Sequence, residues 1–402
     1  MLDENDHRSL GQRLDLFHFQ EEAPGMAFWH PNGFLLYRLL EDAVRSELAQ
    51  SQYAEVRTPQ LLRRAVWEAS GHWQHFPEGM FKLEDQSQAA ALKPVSCPGH
   101  VYIAERCAPS YRDLPLRFAE FGTVHRDEPS GTLHGLLRLR QFTQDDGHVF
   151  CTAEQAAGEV ERFCRSVPPF YARFGFPELD LVLSTRPVER AGDDASWDRA
   201  EAALFEVVER LGWKHSIQPG GGAFYGPKLE FVLKDRLGRE WQCGTIQFDL
   251  VMPRRFELRY VDRHGGRAEL VMLHRALYGS LERFLGVLLE HHGAALPEWL
   301  VPEQLRLLPV SEAELPFAQE LAGRFRAAGL RVSVDARGES LARRIAEAHE
   351  AAVPFAGVVG KREVSERTLA LRARDGQRSL PVDQAISELA ARTANPFHPN
   401  SA

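Results

Sequence analysis

The chain has 402 residues, 44% hydrophobic and 26% charged, which suits two or three domains with sizeable cores and excludes global disorder. No apolar run is long enough to cross a bilayer, and the polar start M-L-D-E-N-D-H-R is no signal peptide, so a soluble cytoplasmic protein is expected. Net charge is −8 but uneven: residues 301–402 carry 14 Lys+Arg against 13 Asp+Glu, leaving −9 on the first 300, so only a local basic face could contact a nucleic acid.

Leu35, Leu36, Leu39, Leu40, Val44 and Leu48 recur at helical spacing and predict a helix over 34–48. A strand over 53–58 follows, closed by Pro59, which cannot donate to a sheet ladder. Residues 114–150 alternate strand-like runs with a polar loop, H-R-D-E-P-S-G. Helices are expected over 155–172 and 196–212, a hairpin-rich antiparallel stretch over 228–262, and one strong helix over 271–291. The junction L-P-E-W-L-V-P (296–302) then marks a boundary. Beyond it strands at 305–310 and 330–335 alternate with helices at 313–328 and 339–351, with two more strands and a closing helix to follow. This predicts an α/β domain with a mixed, mostly parallel sheet. The end, N-P-F-H-P-N-S-A, reads as a frayed tail.

Five cysteines, Cys97, Cys107, Cys151, Cys164 and Cys243, lie far apart with no C-x-x-C pair, which argues against a disulfide framework or a structural zinc knot. Three residues stand in unusual strings. Cys97 sits in the turn-rich L-K-P-V-S-C-P-G-H, and His148 at a strand edge in F-T-Q-D-D-G-H-V-F. His274 opens the strong helix in V-M-L-H-R-A-L-Y-G-S-L-E-R. One Cys and two His make a three-ligand zinc set with an open fourth position. Spacing does not select these three among sixteen histidines, and composition prefers a buried thiol and two core histidines.

The surrounding strings change that balance. D-H-R-x-x-G-x-x-L-D-L-F, A-F-W-H-P-N-G, S-G-H-W, K-P-V-S-C-P-G-H and Y-R-D-L-P-L-R come first. H-R-D-E-P-S-G, F-T-Q-D-D-G-H-V-F-C, A-F-Y-G-P-K, W-Q-C-G-T-I-Q-F-D and H-R-A-L-Y-G-S-L-E-R follow. In this order they resemble the threonyl-tRNA synthetases, a class II aminoacyl-tRNA synthetase family, from about residue 7 to 390. The resemblance implies an α+β fold with a helix-flanked antiparallel catalytic sheet over 1–297 and an anticodon-binding domain over 298–402. It implies ATP-dependent formation of threonyl-adenylate, transfer of threonine to tRNA(Thr), one Zn2+ per subunit on Cys97, His148 and His274, Mg2+ with ATP, and a homodimer built on the segment ending at Pro59.

The resemblance also assigns residues. Arg126 would hold the ATP α-phosphate and the threonine carboxylate, since a guanidinium pairs bidentately with such oxygens. Glu128 would accept from the adenine amino group, Phe142 and Arg283 would stack on the two adenine faces, Arg138 would meet the outer phosphates, and Gln242 belongs to the same pocket. Zinc would bind the amino group and hydroxyl of threonine, so valine loses a ligand while serine lacks only a methyl. Asp146 would accept from the threonine hydroxyl, Gln144 would hold the carboxylate, and Tyr225 and Gln247 would close the pocket. His72 in S-G-H-W would assist transfer to the tRNA ribose, and Lys228 is a further pocket residue; helix capping or packing is the other reading of His72.

Two departures bear on function. The chain begins at the catalytic core, without the editing region of full-length bacterial relatives, so formation of seryl-tRNA is expected. The C-terminal string D-A-R-G-E-S-L-A-R-R-I-A has Gly338, Ser340 and Ala346 where relatives carry Asn, Lys and Arg, while Glu363 and Arg372 match positions that read anticodon bases. A threonine-activating paralogue that serves a carrier protein or another RNA is therefore the competing expectation. A non-catalytic RNA-binding relative would be expected to lose Arg126, Arg283 and the metal trio.

Overall fold

The computed structural model describes residues 4–84 and 89–398; residues 399–402 of the predicted tail lie outside them. The expected first helix is α1 (Pro31–Gln50), opening on a proline whose missing N–H would be unpaired in a first turn anyway. The predicted 53–58 strand shrinks to β1 (Ala54–Glu55). Cys97 lies not in a turn but at the first position of helix α2 (Cys97–Cys107). The runs flanking H-R-D-E-P-S-G form a long antiparallel pair, β2 (Leu116–His125) and β3 (Gln141–Cys151), so His148 sits well inside a strand rather than at its edge.

Helix α3 (Ala153–Ala172) starts at a capping box in which Thr152 and Gln155 exchange side-chain and backbone hydrogen bonds. It buries Val160, Phe163, Val167, Phe170 and Tyr171. Next come β4 (Leu179–Ser184), α4 (Asp194–Leu211, capped by Asp193 and ended by left-handed Gly212), β5 (His215–Gln218), β6 (Lys228–Lys234) and β7 (Glu240–Asp249).

The helix expected over 271–291 is two elements. Residues Val271–Ala276 are strand β8, and only Leu281–His292 is helical, as α5. His274 is thus a strand residue. The misreading has a physical cause: all six residues of β8 are buried, so no alternation distinguishes it from a buried helix. Gly279, with φ +76°, makes the break that the apolar run hides.

These strands form one eight-stranded sheet in the order β5-β4-β6-β7-β8-β3-β2-β1. The central pairings are antiparallel, and the outermost pairings at both edges are parallel. α3 packs across β3, β7 and β8.

The C-terminal sheet comprises β9 (Leu305–Pro309), β10 (Val332–Val334), β11 (Phe355–Val359), β12 (Thr368–Ala373) and β13 (Gly376–Pro381), in the order β10-β9-β11-β12-β13. Helices α6 (Leu315–Ala327), α7 (Leu341–Glu350), α8 (Lys361–Glu366) and α9 (Val382–Arg392) accompany it. Three strands follow α7, where two were expected, and half of the pairings are antiparallel. The connections explain both corrections. A parallel crossover needs about a dozen residues, whereas only α8 and its flanks separate β11 from β12, and a tight turn separates β12 from β13. Leu305, Leu307, Leu321, Phe325, Phe355, Leu369 and Leu389 fill the core of this sheet.

By internal packing the chain divides into two compact units: Phe19–Ala27 with Leu40–His291, and the remaining described residues. Among the described residues no helix is long and apolar enough to cross a membrane.

Candidate active site and metal centre

Alternate residues of a strand share a face. On β3 one face carries Phe142, Gln144, Asp146 and His148; His274 of β8 lies opposite His148 in register, and Gln247 of β7 opposite His274. Gln242 has the wrong parity to join Gln247. A β-bulge corrects this, because Glu230 pairs with Thr245 but Val232 with Gln242, giving β7 an extra residue between them. Gln242, Thr245 and Gln247 therefore line one cleft of ≈ 490 Å³ together with Phe142, Gln144, Asp146 and His274. The β2–β3 loop adds Arg126, Glu128 and Arg138 to the lining, and α5 adds Arg283.

The opposite parity of β3 does structural work. Asp145 accepts from the backbone N–H groups of Leu277, Tyr278 and Gly279 at 2.6, 3.0 and 3.0 Å, which clasps the β8–α5 turn. Burial nevertheless raises its carboxyl to about 6. Asp146 faces the cleft, and burial raises its carboxyl as well, against the pull of His100 and His274. Gly147 makes room for Arg275, whose Nε would lie 2.5 Å from a Cβ at this position and would have to shift.

Two arginines of the cleft suit an anion. The guanidinium of Arg126 lies 5.1 Å from the Phe142 ring and 5.9 Å from Phe76, and burial holds its pKa below the ordinary arginine value. Arg283 has a buried Nε with no hydrogen-bond partner. Arg138 is paired with Glu128 at 2.8 Å, but it is 53% exposed, and such pairs are weak enough to exchange for a ligand.

The ligand atoms of Cys97, His148 and His274 all lie within 4.8 Å of one another, and all three residues are buried. His148 Nε2 and His274 Nδ1 face each other at 3.0 Å. Their outer nitrogens are engaged elsewhere: His274 Nε2 with the Asp249 carboxylate at 2.9 Å, and His148 Nδ1 with His100 Nδ1 at 2.8 Å. Two ligands on a tetrahedral metal with bonds of about 2.0–2.1 Å sit roughly 3.3 Å apart, so the inner pair fits. Burial pushes the Cys97 thiol well up, which a bound dication would reverse, and the His148 ring well down, which already favours the neutral form a metal needs. The group can hold a metal, with Asp249 as the outer partner expected of a ligating histidine.

Other predicted residues fall around this centre. Tyr225 donates to Gln247 Oε1 at 2.7 Å and stacks on His274 with ring centroids 4.7 Å apart. His72 and Lys228 are not in the cleft lining. His72 is buried beside Ser70 Oγ at 2.9 Å, with its pKa brought down to about 3 by burial and neighbouring positive charge. Lys228 pairs with Glu230 at 2.7 Å. In the C-terminal sheet, Glu363 caps α8 by accepting from Gly360 N–H, whereas Arg372 keeps a buried Nε without a partner. Gly338, Ser340 and Ala346 are exposed, and Ser340 caps α7.

Sequence reading missed His100, Glu120, Lys93, Thr58 and Asp249. Two of them left a signal. His100 is three residues after Cys97 on α2, hence on its face, and Asp249 is two after Gln247 on β7.

Comparison with known proteins agrees with this arrangement. Residues 81–292 match the tRNA synthetase class II core domain (G, H, P, S and T), and residues 304–392 match the anticodon binding domain. The threonine–tRNA ligase of Nitrosomonas europaea is 49% identical over 375 residues, 93% of this chain and 59% of the relative. That of Alkalilimnicola ehrlichii is 49% identical over 401 residues, 99% of this chain and 63% of the relative. The chain thus spans about three fifths of these relatives. The crystal structure of the RNA binding domain of threonyl-tRNA synthetase from Cryptosporidium parvum Iowa II superposes with a TM-score of 0.94 at 39% identity, covering 99% of this chain and 100% of that one. With both domain models matched in order and a solved relative aligned from end to end, the chain belongs to the threonyl-tRNA synthetase family of class II aminoacyl-tRNA synthetases.

Proposed function

We propose that this chain activates L-threonine with ATP to threonyl-adenylate and transfers the threonyl group to the 3′-terminal ribose of tRNA(Thr). One observation carries the reading: a single cleft is lined both by Gln144, Asp146 and His274, which adjoin the metal-ligand group, and by Arg126, Arg138 and Arg283. Catalysis belongs to residues 1–297 and anticodon reading to 298–402, a division that the matched segments support.

In this reading the threonine carboxylate attacks the α-phosphate in line and pyrophosphate leaves; the terminal ribose hydroxyl of the tRNA then attacks the adenylate carbonyl and AMP leaves. Arg126 and Arg283 stabilise the charge that develops, with Mg2+ on the phosphates. Phe142 and Arg283 sandwich the adenine, Glu128 accepts from its amino group once released from Arg138, and Gln242 belongs to the same pocket. Gln144 holds the threonine carboxylate, Asp146 accepts from the hydroxyl, and Tyr225 and Gln247 close the pocket. Cys97, His148 and His274 would hold zinc, which would supply a Lewis acid for the amino group and hydroxyl of threonine and so a means of rejecting valine. His72, neutral at assay pH, serves the transfer step as a hydrogen-bond partner rather than as a proton carrier. Lys228, opposite Gln247 in register and paired with Glu230, is a further residue of the pocket. Glu363 and Arg372 read anticodon bases, and two chains pair through the segment of α1 and Pro59.

A second reading, threonine activation for a carrier protein or another RNA, draws on the exposed Gly338, Ser340 and Ala346. Threonylation of a tRNA(Thr) transcript with ATP, Mg2+ and zinc decides between them. Stable charging supports the ligase. Threonine-dependent pyrophosphate exchange without charging supports the second reading, and the absence of both overturns each.

A further inference from the structure

Behind the metal-ligand group runs a buried polar chain to which no step above assigns a task. Lys93 and His100 are 0% exposed, Glu120 3% and Thr58 6%. Charges this deep are tolerated only when each is paired, and each is. Lys93 Nζ donates to Glu120 Oε1 at 2.6 Å and to Thr58 Oγ1 at 3.0 Å. Thr58 Oγ1 donates to Glu120 Oε2 at 2.8 Å, and its backbone N–H reaches Oε1 at 3.2 Å. The Glu120 carboxylate is therefore an acceptor on both oxygens.

That polarity propagates. His100 Nε2, 3.2 Å from Glu120 Oε2, has to donate. In a neutral ring His100 Nδ1 then has to accept. Its partner at 2.8 Å is His148 Nδ1, which must carry the proton. The lone pair of His148 is thereby placed on Nε2, the nitrogen that faces His274 Nδ1.

We propose that His100, backed by Glu120 and Lys93, is a positioning residue that selects the Nδ1–H tautomer of His148 and so sets the metal affinity of the site. The proposal rests on the reading of Cys97, His148 and His274 as zinc ligands. An outer partner one histidine removed from the ligand acts by orienting the ring and presenting the correct nitrogen, an effect usually worth ~10–100-fold in affinity.

The test is zinc affinity of the full chain, by competition with a chromophoric chelator, beside the visible spectrum of the cobalt-loaded protein. His100→Phe keeps the ring volume and loses both hydrogen bonds, so its zinc Kd rises ~10–100-fold. His100→Gln retains an acceptor and a donor and stays within about threefold of the parent protein. The cobalt spectrum keeps its thiolate band in both, since Cys97 is untouched. If His100→Phe does not fold, Glu120→Gln carries the same test at unchanged volume. A folded His100→Phe or Glu120→Gln with the parent's Kd overturns the proposal alone. A parent protein that takes up no zinc overturns the metal reading, and the proposal with it.

Discussion

The cleft of the eight-stranded sheet and the exposed face around α7 treat their charged groups in opposite ways. In the cleft, polar side chains are buried and poised: Arg283 keeps an unpaired Nε, and the ring nitrogens of His148 and His274 converge at 3.0 Å. On the exposed face of α7 and the loop before it, Arg337 and Arg343 are already neutralised, while Arg344 is buried against the backbone carbonyls of Asp335 and Pro309. Arg337 meets Asp335 at 2.6 Å, and Arg343 meets Glu339 and Glu347, both at 3.0 Å. Gly338, Ser340 and Ala346 add no charge. A buried group with an unmet bonding capacity predicts a ligand, because leaving it unmet costs free energy. An exposed, paired arginine predicts little, because water or RNA can take over its partner at small net gain.

Four experiments test that contrast. The largest effect belongs to Arg126→Ala or Arg283→Ala, each expected to lower kcat/KM of pyrophosphate exchange by ~10²–10³-fold while bound zinc stays unchanged. An effect below tenfold in both would remove the arginines from the chemistry. Next is amino-acid choice. Serine, which keeps the hydroxyl, should be activated within roughly 10–200-fold of threonine, and valine should stay undetected. Valine exchange equal to that of serine would show that size, not a lost ligand, selects the substrate.

The third concerns acid stability. Burial raises the Glu120 carboxyl, but hydrogen bonds from His100, Lys93 and Thr58 and the Lys93 charge outweigh it and hold the pKa at about 2, against an ordinary 4.5. A carboxyl depressed on folding contributes stability that is complete above pH 4.5 and is lost as pH falls toward 2. Between pH 5 and pH 3 the unfolding free energy should therefore drop by on the order of 2 kcal/mol from this group, as read from urea midpoints. Glu120→Gln should lack that part of the drop. The smallest effect tests the other region: Ala346→Arg adds a cation on an exposed position of α7 and should lower KM for tRNA about fivefold, ~1 kcal/mol. An unchanged KM would mean that this face does not meet the RNA.

Local strings carried much of the chemistry. F-T-Q-D-D-G-H-V-F already places Gln144, Asp146 and His148 on one face, since period-two alternation needs only a strand. The different duties of Asp145 and Asp146 follow from the same alternation, yet only the fold shows that Asp145 clasps the turn before α5. Composition could not choose the metal trio from sixteen histidines, and motif context could. By contrast, the parity of Gln242 depends on a bulge whose partner strand lies elsewhere in the sequence.

By itself the sequence determined the family, the order of the two domains, the cleft arginines and the three candidate metal ligands, because each stands in a contiguous string. Tertiary structure alone decided that residues 271–276 are a strand, since a segment buried on both faces has no periodicity to read. It also decided which histidine nitrogen faces the metal position. That choice passes through Lys93, Glu120 and His100, residues 27 and 20 positions apart in the chain that only folding brings within hydrogen-bond reach.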